Sequence, residues 1–456
     1  MSQTFASHPA QAGERLLGLL DDVLGRAVRA GADAADAVTF ETTSLAVSQR
    51  LGNREDVERS ESSDLGLRVF VGRGQGVVSS SDTANATLDE MVARAVAMAR
   101  AAPEDPYAGL ADADLLAREI TDLDLFDGNE QESEALYARA AEAEDAARAI
   151  EGVSNSEGAE ASWGMSAVAL ATSHGFRGHY LTSRQSVSVS VLAGEGTGME
   201  RDYDFASARF GEDLDDPAAI GASAGGRAVA RLNPRQVETT QVPVIYDPRV
   251  ANGLVRHLAS AVSGSAVARG TSFLKDRMGE QLFMPAVRVV DDPHRPRGQA
   301  SKPFDGEGVA NRRRMIIEDG VLKTWLLDRA SAHQLGLSST GHASRGTSTP
   351  PSPSPTNLYL EAGDRSPAEL MAGIASGFYV NELIGFGVNA VTGDYSRGAA
   401  GFWIENGEIA YPVSEVTVAG NLIDMFAALE PANDLEFRYG VNAPTVRIDG
   451  MTVAGA

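Results

Sequence analysis

Seven histidines are the side chains from which this chain could build a hydrolytic zinc site. They are His8, His174, His179, His257, His294, His333 and His342. Such a site needs two or three imidazole or carboxylate ligands, an open coordination position and a base. No histidine is followed by glutamate, and none has another histidine four residues later. Two glycines between His174 and His179 disfavour a helix that would bring these imidazoles together. The spacing therefore predicts no metal site in this chain.

A second possible chemistry is nucleophilic, because Gly221, Ser223 and Gly225 match the G-x-S-x-G pattern of serine hydrolases. In those enzymes the serine lies on a strained turn between a strand and a helix. Here Asp216 and Pro217 precede the pattern, and proline is favoured at the first position of a helix. The small residues are then better explained as one face of a helix. A serine hydrolase using Ser223 is the weaker alternative, and no catalytic residue is assigned.

Polar clusters in the C-terminal half suggest recognition of an anion or a peptide. Residues 312–314 are three consecutive arginines, and a guanidinium can bind a carboxylate through two parallel hydrogen bonds. The polar run at 393–398 is flanked by glycines, which let another backbone approach closely. The alternatives are a charged strand edge for the arginines and a plain connecting loop for the polar run. The candidate substrate-binding residues are Asn381, Glu382, Asp394, Ser396, Arg397 and Arg313.

Composition limits the classes of partner. The chain has 39 basic and 63 acidic residues, a net charge of -24, which disfavours binding to a phosphate backbone. It has no cysteine, and this excludes disulfides and thiolate metal ligands. The N-terminal segment lacks the features of a signal peptide, and no apolar run approaches the roughly 18 residues of a membrane span. We therefore expect a soluble cytoplasmic protein without membrane or direct nucleic-acid partners.

The elements that would position these groups differ between the two halves of the chain. Apolar residues recur at helical spacing over 14–30, and β-prone runs at 37–41, 45–48, 65–71 and 76–79 predict strands. This pattern predicts an α/β layer with helices on one face of a sheet. A proline-rich run at 350–355 predicts a loop.

The C-terminal half carries hairpin signals. Asp319-Gly320 and Asn406-Gly407 each separate two β-prone runs, and Asp449-Gly450 repeats the pattern. These dipeptides suit the type I′ turn, whose central residues both need a positive φ. The sequence thus predicts an α+β protein: an N-terminal α/β domain over 1–235 and a β-rich antiparallel C-terminal domain over 236–456.

Long motifs in the second half carry a family resemblance. They include FDGEGVANRRRMIIEDGVLKTWLLD, GLSSTGHA, TNLYLEAGD and the terminal APTVRIDGMTVAG. Through these ungapped motifs, which lie between residue 247 and the C-terminus, the chain resembles the PmbA/TldE family, the partners of the TldD zinc peptidases. The N-terminal half is similar to the family in arrangement, with weaker signatures.

The resemblance implies a division of labour between two subunits. TldD-type subunits carry H-E-x-x-x-H on a helix and a later cysteine ligand, and the matching positions here are Val255, Arg256 and Ser260. It thus implies a chain without a cofactor, whose TldD-like partner supplies zinc and the general base for cleaving peptides. A homodimer is the alternative assembly. The alternative function is a non-enzymatic, homo-oligomeric binding or scaffold protein, similar to a gyrase modulator.

Overall fold

The computed structural model describes residues 9–455, so that His8 lies outside the described part of the chain. The elements of the first half are α1 (Pro9–Arg29), β1 (Ala34–Arg50), β2 (Asn53–Val71), β3 (Gly74–Ser80), α2 (Asn85–Ala101), α3 (Ser133–Arg148), β4 (Val153–Thr172), β5 (Arg177–Ala193), β6 (Glu200–Ala208) and α4 (Pro217–Ala230). Their six strands form one antiparallel sheet in the order β3-β2-β1-β4-β5-β6.

The helices of this half cover one face of the sheet. Leu16, Leu20 and Val23 of α1 recur at helical spacing and are fully buried, because they pack into the same apolar cluster as the inward side chains of the strands. The runs predicted as separate strands at 37–41 and 45–48 are parts of the single long strand β1. The predicted α/β layer is therefore present, with longer strands than the sequence pattern indicated.

Strand β2 extends well beyond its neighbour on one side. It pairs with β1 along its whole length, but β3 covers it only from Leu65 onward. Residues 53–62 are all exposed. Among the described strands none pairs with the outer side of this segment, so its backbone forms a bare sheet edge.

The second half consists of shorter elements. They are β7 (Thr240–Tyr246), α5 (Pro248–Ala261), α6 (Gly264–Ala268), β8 (Val289–Asp291), β9 (Arg314–Glu318), β10 (Val321–Leu322), α7 (Arg329–Gln334), β11 (Ala343–Ser344), β12 (Ser352–Pro353), β13 (Leu358–Leu360), α8 (Pro367–Met371), β14 (Ser376–Ile384), β15 (Asp394–Glu405), β16 (Glu408–Asn421), α9 (Leu422–Ala427), β17 (Leu429–Pro431), β18 (Val441–Asn442) and β19 (Val446–Ala454).

The largest sheet of this half has six strands, in the order β16-β15-β14-β7-β19-β17, and a second sheet has five, in the order β10-β9-β8-β13-β18. β16 also pairs with β19, so five strands of the six-stranded sheet form a closed circuit around a second apolar cluster. All neighbours in this sheet are antiparallel except β14 and β7. The α+β class is thus confirmed, whereas the domain division after residue 235 stays a prediction. No helix within residues 9–455 is long and apolar enough to cross a membrane.

Two of the three predicted hairpins are present. Asp319 and Gly320 have φ values of 49° and 80°, and Asn406 and Gly407 have 50° and 86°, as type I′ turns require. The third prediction is wrong: β19 runs straight through Asp449-Gly450, and only a bulge interrupts its pairing with β7. The proline-rich run at 350–355 is also not entirely a loop, because Ser352–Pro353 pairs with Ala343–Ser344.

A buried group of charged residues joins the first sheet to the loops of the second half. We call Asp36, Arg68, Asp305, Glu307 and Arg345 the buried charge cluster. The first four are at most 3% exposed as residues, and the side chain of Arg345 is 1% exposed. Arg68 Nε donates to Asp36 Oδ2 at 3.0 Å, and Arg345 contacts the same carboxylate. Arg68 also lies 3.5 Å from Glu307 Oε1. Ion pairs therefore connect residues far apart in sequence.

The carboxylates of this cluster differ in their pKa values. Burial opposes the charge on Asp36, but the guanidinium groups of Arg345 and Arg68 hold its pKa below the ordinary value. Burial and the neighbouring Glu307 instead raise the pKa of Asp305 to about 7, although the backbone N–H groups of Glu307, Val309 and Ala343 donate to it. Burial likewise raises the pKa of Glu307. In the folded chain Asp305 therefore takes up a proton near neutral pH.

Candidate functional site

A cavity of about 270 Å³ lies where the two halves meet. Its wall consists of β6, the residue that follows α4, the first turn of α5, and strands β14 and β15. We call it the arginine pocket. Its charged and amide side chains include Arg201, Asp202, Arg231, Arg249, Asn381, Glu382 and Arg397. Four guanidinium groups around one cavity stand out in a chain of net charge -24.

A β-bulge explains why neighbouring residues of β14 reach the same cavity. Val380 pairs with Gly401 and Glu382 with Ala400, which leaves Asn381 as the extra residue. In a regular strand, consecutive side chains point to opposite faces, whereas a bulge re-aims them. Both Asn381 and Glu382 consequently line the arginine pocket.

Helix α5 begins at the pocket with a well-formed cap. Asp247 precedes the helix and accepts a hydrogen bond from the backbone N–H of Arg249 at 2.9 Å, while Pro248 occupies the first position. Tyr379 OH donates to the other oxygen of Asp247 at 2.7 Å. The cap fixes where the helix starts and thereby positions the side chain of Arg249 at the wall of the pocket.

Three of the four arginines are neutralised by carboxylates. Arg249 pairs with Asp202 at 2.8 Å, and Arg231 pairs with both Glu382 and Asp202. Arg201 pairs with Glu157. Burial opposes the charge on Arg249, but Asp202 raises its pKa above the ordinary value, and Glu382 and Asp202 do the same for the pKa of Arg231. Ion pairs with these carboxylates thus hold the charged guanidinium groups of Arg231 and Arg249 in place.

Arg397 differs from the other three. Within residues 9–455, no carboxylate lies at ion-pair distance from its guanidinium, and its Nε makes a long contact of 3.4 Å with the carbonyl oxygen of Ile384. Burial, followed by the charge of Arg397, lowers the pKa of nearby His257. Arg397 therefore presents a positive charge that its described surroundings do not neutralise.

Two oxygens at the wall of the pocket accept no hydrogen bond from the described residues. They are Oδ1 of Asn381, a residue 8% exposed, and Oδ2 of Asp202, a residue 2% exposed. A buried acceptor without a donor costs about 1–3 kcal/mol, so such groups are rare in folded proteins. Oδ2 of Asp202 still lies 3.5 Å from the guanidinium of Arg231, so Oδ1 of Asn381 is the one of the two that is left for a ligand. The pocket consequently combines an unneutralised cation with an unused acceptor, as expected for a site that binds a ligand with both an anionic group and an N–H.

Comparisons with known proteins identify the family. The three PmbA/TldA metallopeptidase domain profiles match in order: domain 1 at residues 35–99, the central domain at 126–232 and the C-terminal domain at 239–455. The chain is 40% identical to a metalloprotease PmbA from Escherichia coli, over 93% of this chain and 92% of that protein. The chain belongs to the PmbA/TldE family. It is also 38% identical to a PmbA homolog from Haemophilus influenzae, over 94% of each chain.

Solved structures share the fold. A protein from Bacteroides thetaiotaomicron, described as a proposed modulator of DNA gyrase, superimposes with a TM-score of 0.88 at 26% identity, covering 96% of this chain and 98% of that one. TldE from Thermococcus kodakarensis superimposes with a TM-score of 0.86 at 19% identity, covering 96% of this chain and all of the other. At that identity the second likeness concerns the fold alone.

The six candidate substrate-binding residues do not form one site. Asn381, Glu382 and Arg397 converge on the arginine pocket. Asp394 lies at the start of β15, where Thr392 and Asn421 hydrogen-bond its carboxylate, and Ser396 is exposed two residues further on. Arg313 pairs with Glu361 at 3.1 Å, away from the pocket. The roles of all six in binding stay predictions.

The sequence pattern missed Arg201 and three further charged residues of the pocket. Asp202, Arg231 and Arg249 line it from β6, from the end of α4 and from α5, and none of them stands in a recognisable motif. Asp202 carried a weak signal, as a charged residue within an alternating strand, but only the fold shows that it faces two arginines.

Helix α5 does not offer zinc ligands at the positions implied by the TldD motif. Val255 is buried and apolar, while Arg256 and Ser260 are exposed, and the Ser260 hydroxyl donates to the carbonyl oxygen of Arg256. The ring of His257 packs edge-on against Tyr395, and Arg397 adds a repelling positive charge. Within residues 9–455 no three His, Asp or Glu side chains are grouped as metal ligands. These residues do not fit a zinc ion.

The serine pattern also has a structural explanation. Ser223 lies in the middle of α4, and no strand-to-helix turn precedes it. Gly221 and Gly225 face α3 so closely that an added Cβ would approach the Ala143 and Ala147 carbonyl oxygens to 2.1 and 2.7 Å. The small residues therefore serve helix packing.

Proposed function

We propose that this chain is the metal-free subunit of a cytoplasmic two-subunit peptidase, in which a TldD-like partner holds the zinc ion and the general base. The observation that carries the proposal is helix α5, where the family resemblance matches Val255, Arg256 and Ser260 to the zinc motif of TldD-type subunits and none of the three is a histidine or a glutamate. Zinc in the partner would polarise the peptide carbonyl and activate a water molecule. The family of metalloproteases to which the chain belongs supports peptides as substrates.

In this arrangement the chain contributes contacts to the peptide. The arginine pocket supplies Arg397, Asn381 and Glu382, while Asp394, Ser396 and Arg313 would contact more distant parts of the substrate or the partner. Because Arg231 and Arg249 are held in place by ion pairs, the pocket wall is fixed before a ligand arrives, which lowers the entropic cost of binding.

The test measures zinc content and peptide cleavage on the chain alone, on the TldD-like partner alone and on their mixture. We expect full cleavage activity only in the mixture, with zinc in amounts that follow the partner. His257→Ala in this chain should leave the zinc content of the mixture unchanged. Stoichiometric zinc together with cleavage in the lone chain would contradict the proposal.

A second candidate is a non-enzymatic binding protein that assembles with itself. It is favoured by the likeness to the Bacteroides protein described as a proposed modulator of DNA gyrase. The net charge of -24 argues against direct contact with DNA and leaves a protein partner. Light scattering distinguishes the two functions: a homo-oligomer that persists when the TldD-like subunit is added supports the second, and exchange into a mixed complex supports the first.

A further inference from the structure

We propose that the arginine pocket binds the C-terminal carboxylate of a peptide, with Arg397 pairing with the carboxylate and Asn381 accepting a hydrogen bond from the last amide N–H. The proposal deepens the proposed function, from which it takes the peptide as the class of ligand. It assigns a terminal carboxylate, rather than the interior of a peptide, as the group that this chain recognises.

The charge balance of the pocket points to an anion at Arg397. The positive charges of Arg231 and Arg249 are already neutralised by Glu382 and Asp202, whereas Arg397 has no carboxylate at ion-pair distance among the described residues. A guanidinium binds a carboxylate through two parallel, charge-assisted hydrogen bonds. A half-buried cavity strengthens this interaction, because it is screened less than on an open surface.

The second recognised group must be a hydrogen-bond donor. Oδ1 of Asn381 is buried and accepts no hydrogen bond from residues 9–455, and the bulge in β14 is what brings this residue to the pocket wall. A peptide C-terminus carries both required groups within one residue: its carboxylate, and the amide N–H on the same Cα. An anion without a donor, such as chloride or sulfate, would satisfy Arg397 and leave Asn381 unpaired.

The opposite end of a peptide fits less well. An N-terminal ammonium would need a free carboxylate, but Asp202 contacts two arginines and Glu382 contacts one. The ammonium would also be repelled by Arg397.

The test compares two fluorescein-labelled pentaalanine peptides, one ending in a free carboxylate and the other in a carboxamide. Fluorescence anisotropy is measured with the full chain and with its complex with the TldD-like partner, at low and at physiological salt. We expect the free carboxylate to bind about ten-fold or more tightly than the carboxamide, because a hydrogen bond to a charged group is worth more than one to a neutral group.

Variants assign the two contacts. Arg397→Gln should abolish the preference for the carboxylate by weakening only that peptide, whereas Asn381→Leu should weaken both peptides to a similar degree, since both carry the last N–H. Arg288→Gln, which removes the same charge from an exposed site beside Asp319, is the control and should bind as the wild type does. The ratio of the two affinities is measured within each variant, so that a partial loss of folded protein does not imitate the result.

Three results would overturn the inference: equal affinity of the wild type for both peptides, a carboxylate preference that survives Arg397→Gln, or no binding of either peptide by chain and complex. None of them bears on where the zinc ion resides. Conversely, zinc and cleavage in the lone chain would refute the two-subunit function while leaving a measured carboxylate preference intact.

Discussion

The buried charge cluster and the arginine pocket are both rich in arginine and both join the two halves of the chain. In the cluster, Arg68 and Arg345 each contact the carboxylate of Asp36, and the group is closed to solvent. In the pocket, Arg397 has no described carboxylate partner and Asn381 has no donor. Both regions contain buried polar atoms without a partner, since Nε and Nη2 of Arg345 have no described acceptor. The two regions therefore differ in whether each guanidinium has a carboxylate partner, and not in the number of arginines or the completeness of their hydrogen bonds.

The largest expected loss of stability comes from disrupting the buried charge cluster. Arg68→Gln leaves Glu307 without its guanidinium partner and removes one of the two that face Asp36, so we expect unfolding free energy to fall by about 3–5 kcal/mol. Arg54→Gln is a matched control on the same strand, because its pair with Glu134 is more than half exposed on both sides. In urea denaturation it should cost far less stability than Arg68→Gln. Similar losses for the two variants would contradict the comparison.

The pH dependence of stability offers a second test of the cluster. The pKa of Asp305 rises from 3.8 to about 7 on folding, so the folded state binds more protons than the unfolded state between those values. Unfolding free energy should therefore fall as the pH rises across this range, by up to about 1.4 kcal/mol per pH unit from this group. Asp305→Asn should flatten the slope. An unchanged slope would show that Asp305 is ionised in the folded protein.

Removing an unsatisfied buried acceptor should increase the unfolding free energy. Asn381→Leu has nearly the same shape and eliminates the unpaired acceptor, so we expect the ligand-free chain to gain about 1–3 kcal/mol. Asn357→Leu is the matched control, because Asn357 is also buried but is hydrogen-bonded to Ala300, Asp292 and Ser301. It should destabilise the chain in the same denaturation experiment. A marked loss of stability in Asn381→Leu would show that the amide has a partner after all.

The smallest expected effect is electrostatic. Burial and Arg397 both lower the pKa of His257, so Arg397→Gln should raise this pKa while leaving it below 6.5, since burial remains. An NMR titration of the imidazole measures the change, with the His257 signal assigned from its loss in His257→Gln. Arg288→Gln should not move the titration. A His257 pKa that is insensitive to Arg397 would place the guanidinium too far away to act.

The Asp-Gly and Asn-Gly dipeptides predicted a hairpin correctly where the two adjoining strands pair with each other. Asp319-Gly320 and Asn406-Gly407 form hairpins because the strands on either side pair with each other. Asp449-Gly450 has the same chemistry but lies in β19, whose two halves both pair with β7. A partner strand about 200 residues earlier in the chain, which no local pattern reveals, converts the expected turn into a bulge.

The difference between local and long-range contacts also explains why the sequence predicted only part of the pocket. Asn381, Glu382 and Arg397 were found together because β14 and β15 are neighbours in sequence and in the sheet. Arg231, which pairs with Glu382, and Asp202, which pairs with Arg249, come from the first half of the chain, and no local pattern indicates that proximity. The bulge that exposes Asn381 to the cavity likewise depends on the register between two strands.

The bare edge of β2 has a consequence for crowded solutions. An unpaired strand edge is a template on which a second copy can add its own strand and begin an aggregate. Seven of the twelve residues from 53 to 64 are charged, and five of these are acidic, so two such edges brought together would repel each other. This repulsion weakens in acid and at high salt. The chain can therefore keep a long open strand in the folded state as long as that strand remains ionised.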